Sequence, residues 1–333
     1  IWEVTTLRSD GSYGDGRRPD DVEFGTEITE DLSRRDFTIN AMALEFPYNE
    51  GSLIDPFNGR EDLIGGALVS VGDPIERISE DGLRILRAFR FMNGGKNGVR
   101  EMGDSLEGAI SSSLEMLEMV SKERICSELS IILSSEWTNE IVSKMEELGV
   151  LKAISGNLME RSECSLGSNL EVNLALLCRK FEGDGRQLRD ILRKELMLSN
   201  SILEEVGFLH NCKEESLETD APYLRRFAIA LPELRKKNIL EYLGTLGQDV
   251  VNFSKALKEV GEPRYGASPI VDGNELSRET GLPPGPRLGM LKGWLYRRQV
   301  EDDLTTFDEV IGLLDNFNWE NSEPTDWDKM EWP

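Results

Sequence analysis

The stretch EDLSRRDFTINAMAL, residues 30–44, places two adjacent arginines and an aspartate directly before an apolar run. The chain has a formal net charge of −24, so two adjacent cations directly before a segment that must be buried require an explanation. The local pattern predicts a helix over residues 32–44, capped by Thr29 or Asp31. The apolar residues expected to hold this helix on a sheet are Ile39, Ala41, Met42 and Leu44.

Length and composition narrow the class of protein. A chain of 333 residues with 39% apolar residues is too long for one compact core, so several domains are expected. It has no run of 18 apolar residues, so no membrane span and no membrane partner are expected. Its first residues do not show the charged and then apolar segments of a signal peptide, so nothing indicates secretion. The four cysteines are scattered and there is one histidine, so we expect no zinc site and reduced thiols in a cytoplasmic protein.

The hydrophobic period changes along the chain. Residues 1–8 alternate as in a strand, and short strands and turns continue to about residue 78. From Ser79, a good helix N-cap, the period becomes helical and stays so for most of the remaining sequence. The fold class predicted is an α+β head followed by an elongated all-α neck, body and tail.

The acidic charge is uneven. Residues 301–333 hold eleven acidic residues and one lysine, and the acidity of the chain argues against indiscriminate nucleic-acid binding. A local basic groove is still compatible with this charge, and the alternative is that the basic clusters are solvated helix faces. The candidate RNA-binding residues are Arg179, Lys180, Arg189, Arg193 and Lys194, and a second basic cluster contains Arg225, Arg226, Arg235, Lys236 and Lys237.

The stretch SEDGLRILRAFRF, residues 79–91, carries a candidate base-reading pair. Asp81 and Arg84 are three residues apart and share a helix face, and Arg87 follows on the same face. Adenine and cytosine both present an amino donor beside a ring-nitrogen acceptor. An Asp that accepts and an Arg that donates fit that edge, whereas guanine and uracil would leave both groups unpaired. The alternative is a capped surface helix with an intrahelical ion pair.

Motifs along the chain resemble those of the class II tRNA nucleotidyltransferases, the family of CCA-adding enzymes and bacterial-type poly(A) polymerases. The resemblance is carried, in order, by VTTLRSDGSYGDGRRPDDVEF, EDLSRRDFTINAMAL, LIDPFNGREDL, EDGLRILRAFRF, SKERICSEL and GLPPGPRLGMLKGWL. It implies a polymerase-β-like head. The domains expected are a partial nucleotidyltransferase head at 1–70, a neck with base-recognition and RNA-binding helices at 71–135, a helical body at 136–215, a helical tail at 216–315, and an acidic disordered end at 316–333.

The resemblance also implies residue roles. The arginines of the RRD motif bind the nucleotide triphosphate, and the asparagine lies near the sugar and phosphates. The alternative is an Arg–Asp pair that ties the helix to the sheet. The nucleotide-binding residues predicted are Arg34, Arg35, Asp36, Asn40, Asp81, Arg84 and Arg87, and the structural or neck residues are Asp55, Glu123, Arg124 and Glu128.

Two departures from the family pattern affect these expectations. Gly82 stands where the family has proline, which should loosen the first helical turn. The catalytic Asp-x-Asp pair of the family lies upstream of the VTT strand, so the ligands of Mg²⁺ are expected before Ile1. Glu3 is a candidate accessory carboxylate. The chain is accordingly expected to be a fragment that is inactive alone.

The activity implied is template-independent addition of CMP and AMP to the tRNA 3′ end, with CTP, ATP and tRNA as partners. Enzymes that add only A, only CC or a poly(A) tail share the same motifs and remain alternatives. A non-catalytic RNA-binding remnant is the alternative outside the enzymes, because the main catalytic carboxylates are expected outside this sequence.

Overall fold

The computed structural model describes residues 9–10, 22–23, 27–45, 52–161 and 163–333, and its contacts divide the chain into two units, Ile1–Asn211 and Cys212–Pro333. The strand predicted over residues 1–8 and the carboxylate predicted at Glu3 lie outside the described residues. The predicted domain boundaries stay predictions.

The strands of the described residues are short and pair in three places. Two pairs are antiparallel and the third is parallel, and all belong to the first unit. The pairs are β1 (Ser9–Asp10) with β2 (Val22–Glu23), β3 (Ala43–Leu44) with β4 (Leu53–Ile54), and β5 (Ala67–Leu68) with β6 (Glu101–Met102).

Residues 30–44 do not form one helix. Helix α1 (Ile28–Ser33) ends before the arginines, and a 3₁₀ turn (Thr38–Asn40) follows after an extended passage. The amide of Thr38 donates to the Val69 carbonyl at 3.0 Å, and the amide of Val71 donates to the Asp36 carbonyl at 3.1 Å. The predicted helix over 32–44 is therefore wrong, because residues 69–71 take the backbone groups that a continuing helix would need.

Burial in this region follows the new geometry. Leu32, Ala41 and Val71 form a small buried cluster, so the stretch still packs by its apolar side chains. Leu44, expected to face the sheet, is exposed. Neither predicted cap is used, because α1 begins at Ile28 and the Glu27 side chain that precedes it makes no capping bond.

The remaining helices of the first unit follow the predicted helical period from the neck onward. They are α2 (Gly59–Gly65), α3 (Pro74–Glu80), α4 (Leu83–Met92), α5 (Asp104–Ser112), α6 (Lys122–Leu133), α7 (Thr138–Glu147), α8 (Val150–Ser155), α9 (Leu170–Leu177), α10 (Gly185–Leu196) and α11 (Asn200–Asn211). Helices α4 and α6 pack against each other. Ile85 and Phe89 of α4 and Leu129 of α6 are fully buried, as expected for facing apolar stripes.

The helix predicted to begin at Ser79 is two helices. Asp73 caps α3, with Pro74 in its first turn, and Ser79 instead donates to the Glu76 carbonyl at 2.7 Å. Asp81 has an extended backbone and ends α3, and its carboxylate accepts from the Leu83 amide at 3.0 Å at the start of α4. The base-reading candidate thus lies in a break between helices rather than within a first turn.

The second unit is helical in its described residues. Its helices are α12 (Ala221–Ala230), α13 (Glu233–Thr245), α14 (Val250–Val260), α15 (Gly273–Thr280), α16 (Pro286–Glu301) and α17 (Phe307–Ile311). One buried cluster joins α15, α16 and α17 through Leu276, Leu291, Leu295 and Val310.

The acidic end of the chain packs onto this unit. Trp327 belongs to the buried cluster and is 4% exposed, and Trp332 packs edge-to-face on Phe227. Arg287 donates to the carbonyls of Trp319, Glu320 and Ser322. The expectation of disorder at 316–333 does not agree with this packing, because the tryptophans of the segment provide apolar area that the acidic composition concealed.

The four cysteines, which all lie in the described residues, form no disulfide. Cys178 and Cys212 are buried, whereas Cys126 and Cys164 are partly exposed. Burial raises the pKa of the Cys178 thiol to about 12, which keeps it protonated and unreactive at neutral pH.

No helix in the described part of the chain has the length and apolar content needed to cross a membrane.

Gly82 makes the closest backbone approach beside the α3–α4 break. A Cβ at this position would lie nearer to the Met116 carbonyl oxygen than van der Waals contact permits. Gly82 therefore serves close packing, and a proline here would meet the same oxygen. This explains a departure from the family pattern that the sequence indicated only as a loosened turn.

We expect Gly82→Ala to lower the free energy of unfolding by about 1–3 kcal/mol, because the added methyl group overpacks the contact with Met116. The measurement is the midpoint of urea unfolding by circular dichroism. Gly108→Ala is the matched control, since Gly108 lies in α5 with no atom near its Cβ position. It should stabilise by about 0.5–1 kcal/mol through helix propensity. Equal effects of the two changes would contradict the packing argument.

Candidate active site

A polar cavity of about 550 Å³ lies between the 34–40 segment, one face of α4 and the first turn of α6. Its walls contain every residue predicted to bind the nucleotide, although these come from separate parts of the sequence. The lining residues are Arg34, Arg35, Asp36, Asn40, Asp81, Leu83, Arg84, Arg87, Phe91 and Arg124. The structure thus brings the two quoted stretches, residues 30–44 and 79–91, to one place.

Asp31 holds the two adjacent arginines. Its carboxylate is 3% exposed and accepts from Arg34 at 2.6 Å and from Arg35 at 3.3 Å. Arg35 also donates to the Asn40 carbonyl at 3.2 Å, and its side chain remains 43% exposed. The sequence suggested Asp31 only as a cap, whereas here it orients both guanidinium groups at the cavity.

Asp36 connects the 34–40 segment to α4. Its carboxylate, on a residue that is 7% exposed, accepts from the Phe37 amide at 2.9 Å, the Asn40 side chain at 3.1 Å and Arg87 at 2.6 Å. Arg87 also lies 3.8 Å from Glu128 on α6. Among the described residues, the carboxylate of Asp36 bonds only groups of the protein itself, and these bonds position Asn40 and Arg87. An Arg–Asp pair does tie elements together, as the alternative interpretation supposed, but it joins the segment to α4.

Asp81 and Arg84 both line the cavity, and their ion pairs are made with other residues. Asp81 accepts two bonds from Arg124, at 2.6 and 3.2 Å. Arg84 pairs with Glu80 and donates to the carbonyls of Arg34 and Arg77, each at 2.8 Å. The intrahelical Asp81–Arg84 pair of the alternative interpretation does not occur among the ion pairs of the described residues. The two side chains are held independently.

The predicted neck residues on α6 divide into two groups. Arg124 lies in the cavity wall, and Glu128 is buried and bonds Arg90 of α4 at 3.2 Å. Glu123 is exposed. Thus one face of α6 supports the cavity through charged contacts with the α3–α4 region, and Glu123 lies outside that face.

Asp55, the remaining neck or structural candidate, organises α2. Its carboxylate accepts from the amides of Gly59 and Arg60 at 2.7 and 2.9 Å, at the start of that helix. The Thr38 hydroxyl donates to Asp62 of α2 at 2.6 Å. Helix α2 therefore supports the 3₁₀ turn that carries Asn40.

The candidate RNA-binding cations lie on the surface beside acidic residues. Lys180 pairs with Glu160 at 2.5 Å, and Arg193 pairs with Asp190 at 3.2 Å. Lys194 lies 3.7 Å from Glu195, and a hydrogen bond from Lys122 holds the pKa of the Glu195 carboxyl below its ordinary value. Arg189 pairs with Glu204, and Arg179 contacts the sulfur of Cys164. The RNA-binding role of these five residues stays a prediction.

The described residues provide no obvious place for the expected Mg²⁺. Within the described ranges, no three His, Cys, Asp or Glu side chains are grouped so that they could hold a metal ion. The carboxylates at the cavity are occupied by guanidinium groups, as with Asp31, Asp36 and Asp81. These residues therefore do not fit a metal, and no step is assigned to one here.

Phe91 is a wall residue that the sequence reasoning did not select. Its ring centroid lies 5.2 Å from the Arg87 guanidinium carbon and 5.4 Å from that of Arg90. The signal was present in the sequence, because Phe91 follows Arg87 by four residues and so shares its helix face. An aromatic beside two arginines gives the polar cavity one apolar surface.

Comparisons with known proteins identify the family of this chain. Residues 1–69 match the family model described as the Poly A polymerase head domain. A CCA-adding enzyme of Lactococcus lactis subsp. cremoris (strain MG1363) is 31% identical over 326 residues, covering 94% of this chain and 76% of the relative. One from Geobacillus sp. (strain WCH70) is 30% identical over 326 residues, covering 93% and 77%.

Solved structures have the same fold. The Bacillus stearothermophilus CCA-adding enzyme in complex with CTP gives a TM-score of 0.72 at 23% identity, over 94% of this chain and 78% of that one. The Thermotoga maritima CCA-adding enzyme complexed with tRNA gives 0.61 at 20% identity, over 87% and 73%. These likenesses support the fold alone.

The fold and the relatives define a nucleotidyltransferase with a head domain and a helical remainder, which confirms the predicted fold class. The chain belongs to the family of CCA-adding enzymes. The resemblance indicated by the motifs is thereby confirmed.

We expect Asp36→Ala to lower the free energy of unfolding by about 2–4 kcal/mol, because it removes the partner of Arg87 and leaves buried donors unsatisfied. Urea unfolding gives the measurement. The control is Glu160→Ala, which removes the partner of Lys180 in a pair whose side chains are 65% and 51% exposed. It should change stability by less than about 0.5 kcal/mol. A similar small effect at Asp36 would show that this carboxylate does not hold the segment to α4.

Proposed function

We propose that this protein adds CMP and AMP to the 3′ end of tRNA without a nucleic-acid template, using CTP and ATP. The observation that carries the proposal is the meeting of the RRD segment and the Asp81–Arg84 region in one cavity. Relatives named CCA-adding enzymes, at 31% and 30% identity, support the same activity.

The triphosphate is assigned to the arginine side of the cavity. Arg34 and Arg35 are oriented by Asp31, and Arg87 is oriented by Asp36. A guanidinium has five N–H donors. The bonds of Arg35 to Asp31 and to the Asn40 carbonyl use two of its nitrogens once each, so Arg35 retains donors for phosphate oxygens. The exposure of Arg35 supports its direct contact with the nucleotide.

The base is assigned to Asp81 and Arg84. The Asp81 carboxylate is the acceptor for the exocyclic amino group, and the Arg84 guanidinium is the donor for the ring nitrogen. Guanine or uracil would set an acceptor against the carboxylate and a donor against the arginine, which leaves polar groups unpaired. Both required bases are thus read by the same two side chains.

The size of the cavity is suited to a nucleotide. Its volume of about 550 Å³ lies within the roughly 300–1,000 Å³ of typical small-molecule sites. Phe91 provides an apolar wall among the charged residues. Mg²⁺ is the ion proposed for phosphoryl transfer. When bound, it would neutralise charge at the reacting phosphates. No residue of this cavity is assigned to it.

The activity is tested with the full-length protein, because this sequence alone is expected to be inactive. The substrates are tRNA transcripts that end before the CCA sequence, after the first C or after CC. Each is incubated with single nucleotides and Mg²⁺, and the products are resolved by gel. The proposal predicts C addition to the first two and A addition to the third. Addition of A alone, of C alone or of a long A tail would replace it by one of those activities. Binding of tRNA without any incorporation would make the chain an RNA-binding protein.

We expect Arg35→Ala to raise the KM for both CTP and ATP by roughly tenfold, because a charge-assisted contact to phosphate is lost. Initial-rate kinetics with saturating tRNA give the measurement. Arg60→Ala is the matched control, since Arg60 is an exposed arginine of α2 outside the cavity lining. A higher KM for tRNA with an unchanged KM for nucleotides would assign the RRD segment to RNA binding instead.

The double change Asp81→Ala with Arg84→Ala should impair discrimination of CTP and ATP from UTP and GTP. A loss on the order of 1–3 kcal/mol for each pairing is expected, by comparison with bidentate base contacts. The ratio of kcat/KM between right and wrong nucleotides is the quantity to measure. Unchanged selectivity in a folded protein would rule out this pair as the base reader.

A further inference from the structure

The backbone does not by itself fix the orientation of the Asp81 side chain. Asp81 lies in the break between α3 and α4 with an extended backbone, φ −153° and ψ 106°. A helical residue is held by the bonds of its turn, whereas a residue in such a break depends on its side-chain contacts. Those contacts are the Leu83 amide at 3.0 Å and the guanidinium of Arg124.

Arg124 reaches Asp81 from a rigid element. It stands in the first turn of α6, which is anchored by Ile125 and Leu129 in the core against α4. Two separate nitrogens bond the two carboxylate oxygens, at 3.2 Å to Oδ1 and 2.6 Å to Oδ2. A two-point contact between planar groups fixes the plane of the carboxylate as well as its position.

The acceptor capacity of Asp81 is only partly used. Oδ1 accepts from Leu83 and from Arg124, while Oδ2 accepts from Arg124 among the bonds of the described residues. A carboxylate oxygen can accept about two hydrogen bonds, so Oδ2 retains capacity for one more donor. Asp81 and Arg124 both line the cavity.

We propose that Arg124 is a positioning residue for base selection: it fixes the Asp81 carboxylate so that Oδ2 meets the amino group of cytosine or adenine. The proposal rests on the proposed function. Arg124 acts on the incoming base only through Asp81.

Arg84 and Asp81 are held by different contacts, so the loss of Arg124 should affect only the Asp81 half of the base-reading pair. Arg84 is held by Glu80 and by the carbonyls of Arg34 and Arg77, and none of these contacts involves Arg124. Loss of Arg124 thus frees the acceptor and leaves the donor of the base-reading pair in place. A freed carboxylate can turn away from the base, so that uracil and guanine no longer face a fixed acceptor. Wrong nucleotides should therefore gain relative to right ones.

The experiment compares Arg124→Met with Arg90→Met in the full-length protein. Each change removes an arginine that makes an ion pair between α6 and the α3–α4 region. Arg124 pairs with Asp81 in the cavity wall, whereas Arg90 pairs with Glu128 and lies outside the cavity lining. The measured quantities are kcat/KM for CTP and UTP on tRNA lacking CCA, and for ATP and GTP on tRNA ending in CC. The ratio of right to wrong nucleotide should fall by about tenfold in Arg124→Met, as for loss of one good base contact. It should be unchanged in Arg90→Met.

A second comparison separates positioning from general damage. In an Asp81→Asn background, Arg124→Met should cause no further loss of selectivity, because both changes affect one carboxylate. A variant that is merely less stable would lose activity on all four nucleotides equally, with no change in ratio. Arg124→Lys keeps the charge without the two-point contact and should lie between wild type and Arg124→Met, which preserves the test if the methionine variant does not fold.

The outcomes are distinguishable. If the wild-type protein incorporates none of the four nucleotides, the proposed function fails and this inference fails with it. If the wild type adds C and A selectively and Arg124→Met or Arg124→Lys keeps full selectivity, only the role of Arg124 is overturned. Additive losses from Asp81→Asn and Arg124→Met would also overturn it.

Discussion

The carboxylate of Asp36 is the contact on which the cavity depends. It accepts hydrogen bonds from three groups: the backbone amide of Phe37, the side chain of Asn40 and the guanidinium of Arg87. Arg87 lies on α4, and α4 packs on α6. The bond between Asp36 and Arg87 therefore fixes the position of residues 36–40 relative to these two helices. A shift of this one buried carboxylate would displace both Asn40 and Arg87, and with them two walls of the cavity.

The cavity is cationic within an acidic chain, and its charges are arranged in pairs. Asp31, Asp36 and Asp81 each hold at least one guanidinium that also faces the cavity. Such pairing keeps long arginine side chains in place before a ligand arrives, which lowers the ordering cost of binding. The surface cations Lys180, after α9, and Arg193, on α10, differ, because their acidic partners are themselves exposed and place negative charge where an RNA phosphate would approach.

Much of the cavity could be predicted from the sequence, because charged residues three or four apart on a helix share a face. That rule brought Arg84 and Arg87 together on α4, and the motifs added Arg34 and Arg35. Asp81 also lines the cavity, but from the break before α4, where the rule does not apply. Contacts between distant residues were the part that local patterns could not supply. The bonds of Thr38 and Asp36 to residues 69–71 end the predicted helix, and the partner of Asp81 is on a helix that begins some forty residues later.

Composition misled in one place for a related reason. Residues 316–333 are acidic and contain proline, which is typical of disorder, yet the burial of Trp327 and Trp332 gives the segment an apolar anchor. The average charge of a segment takes no account of a few large aromatic side chains, and these can stabilise the whole segment when they are buried against a neighbouring surface.

The close approach of Gly82 to the Met116 carbonyl has a consequence for how this chain can diverge. The two positions are not independent, since any residue with a Cβ at 82 requires the turn of residues 114–119 to move. Substitution at 82 would therefore be accepted only after a change in that turn had opened space. A homologue with proline at this position should carry a displaced or differently sized turn, so the pair should covary across the family. The sequence of this turn would then indicate which residue follows Asp81.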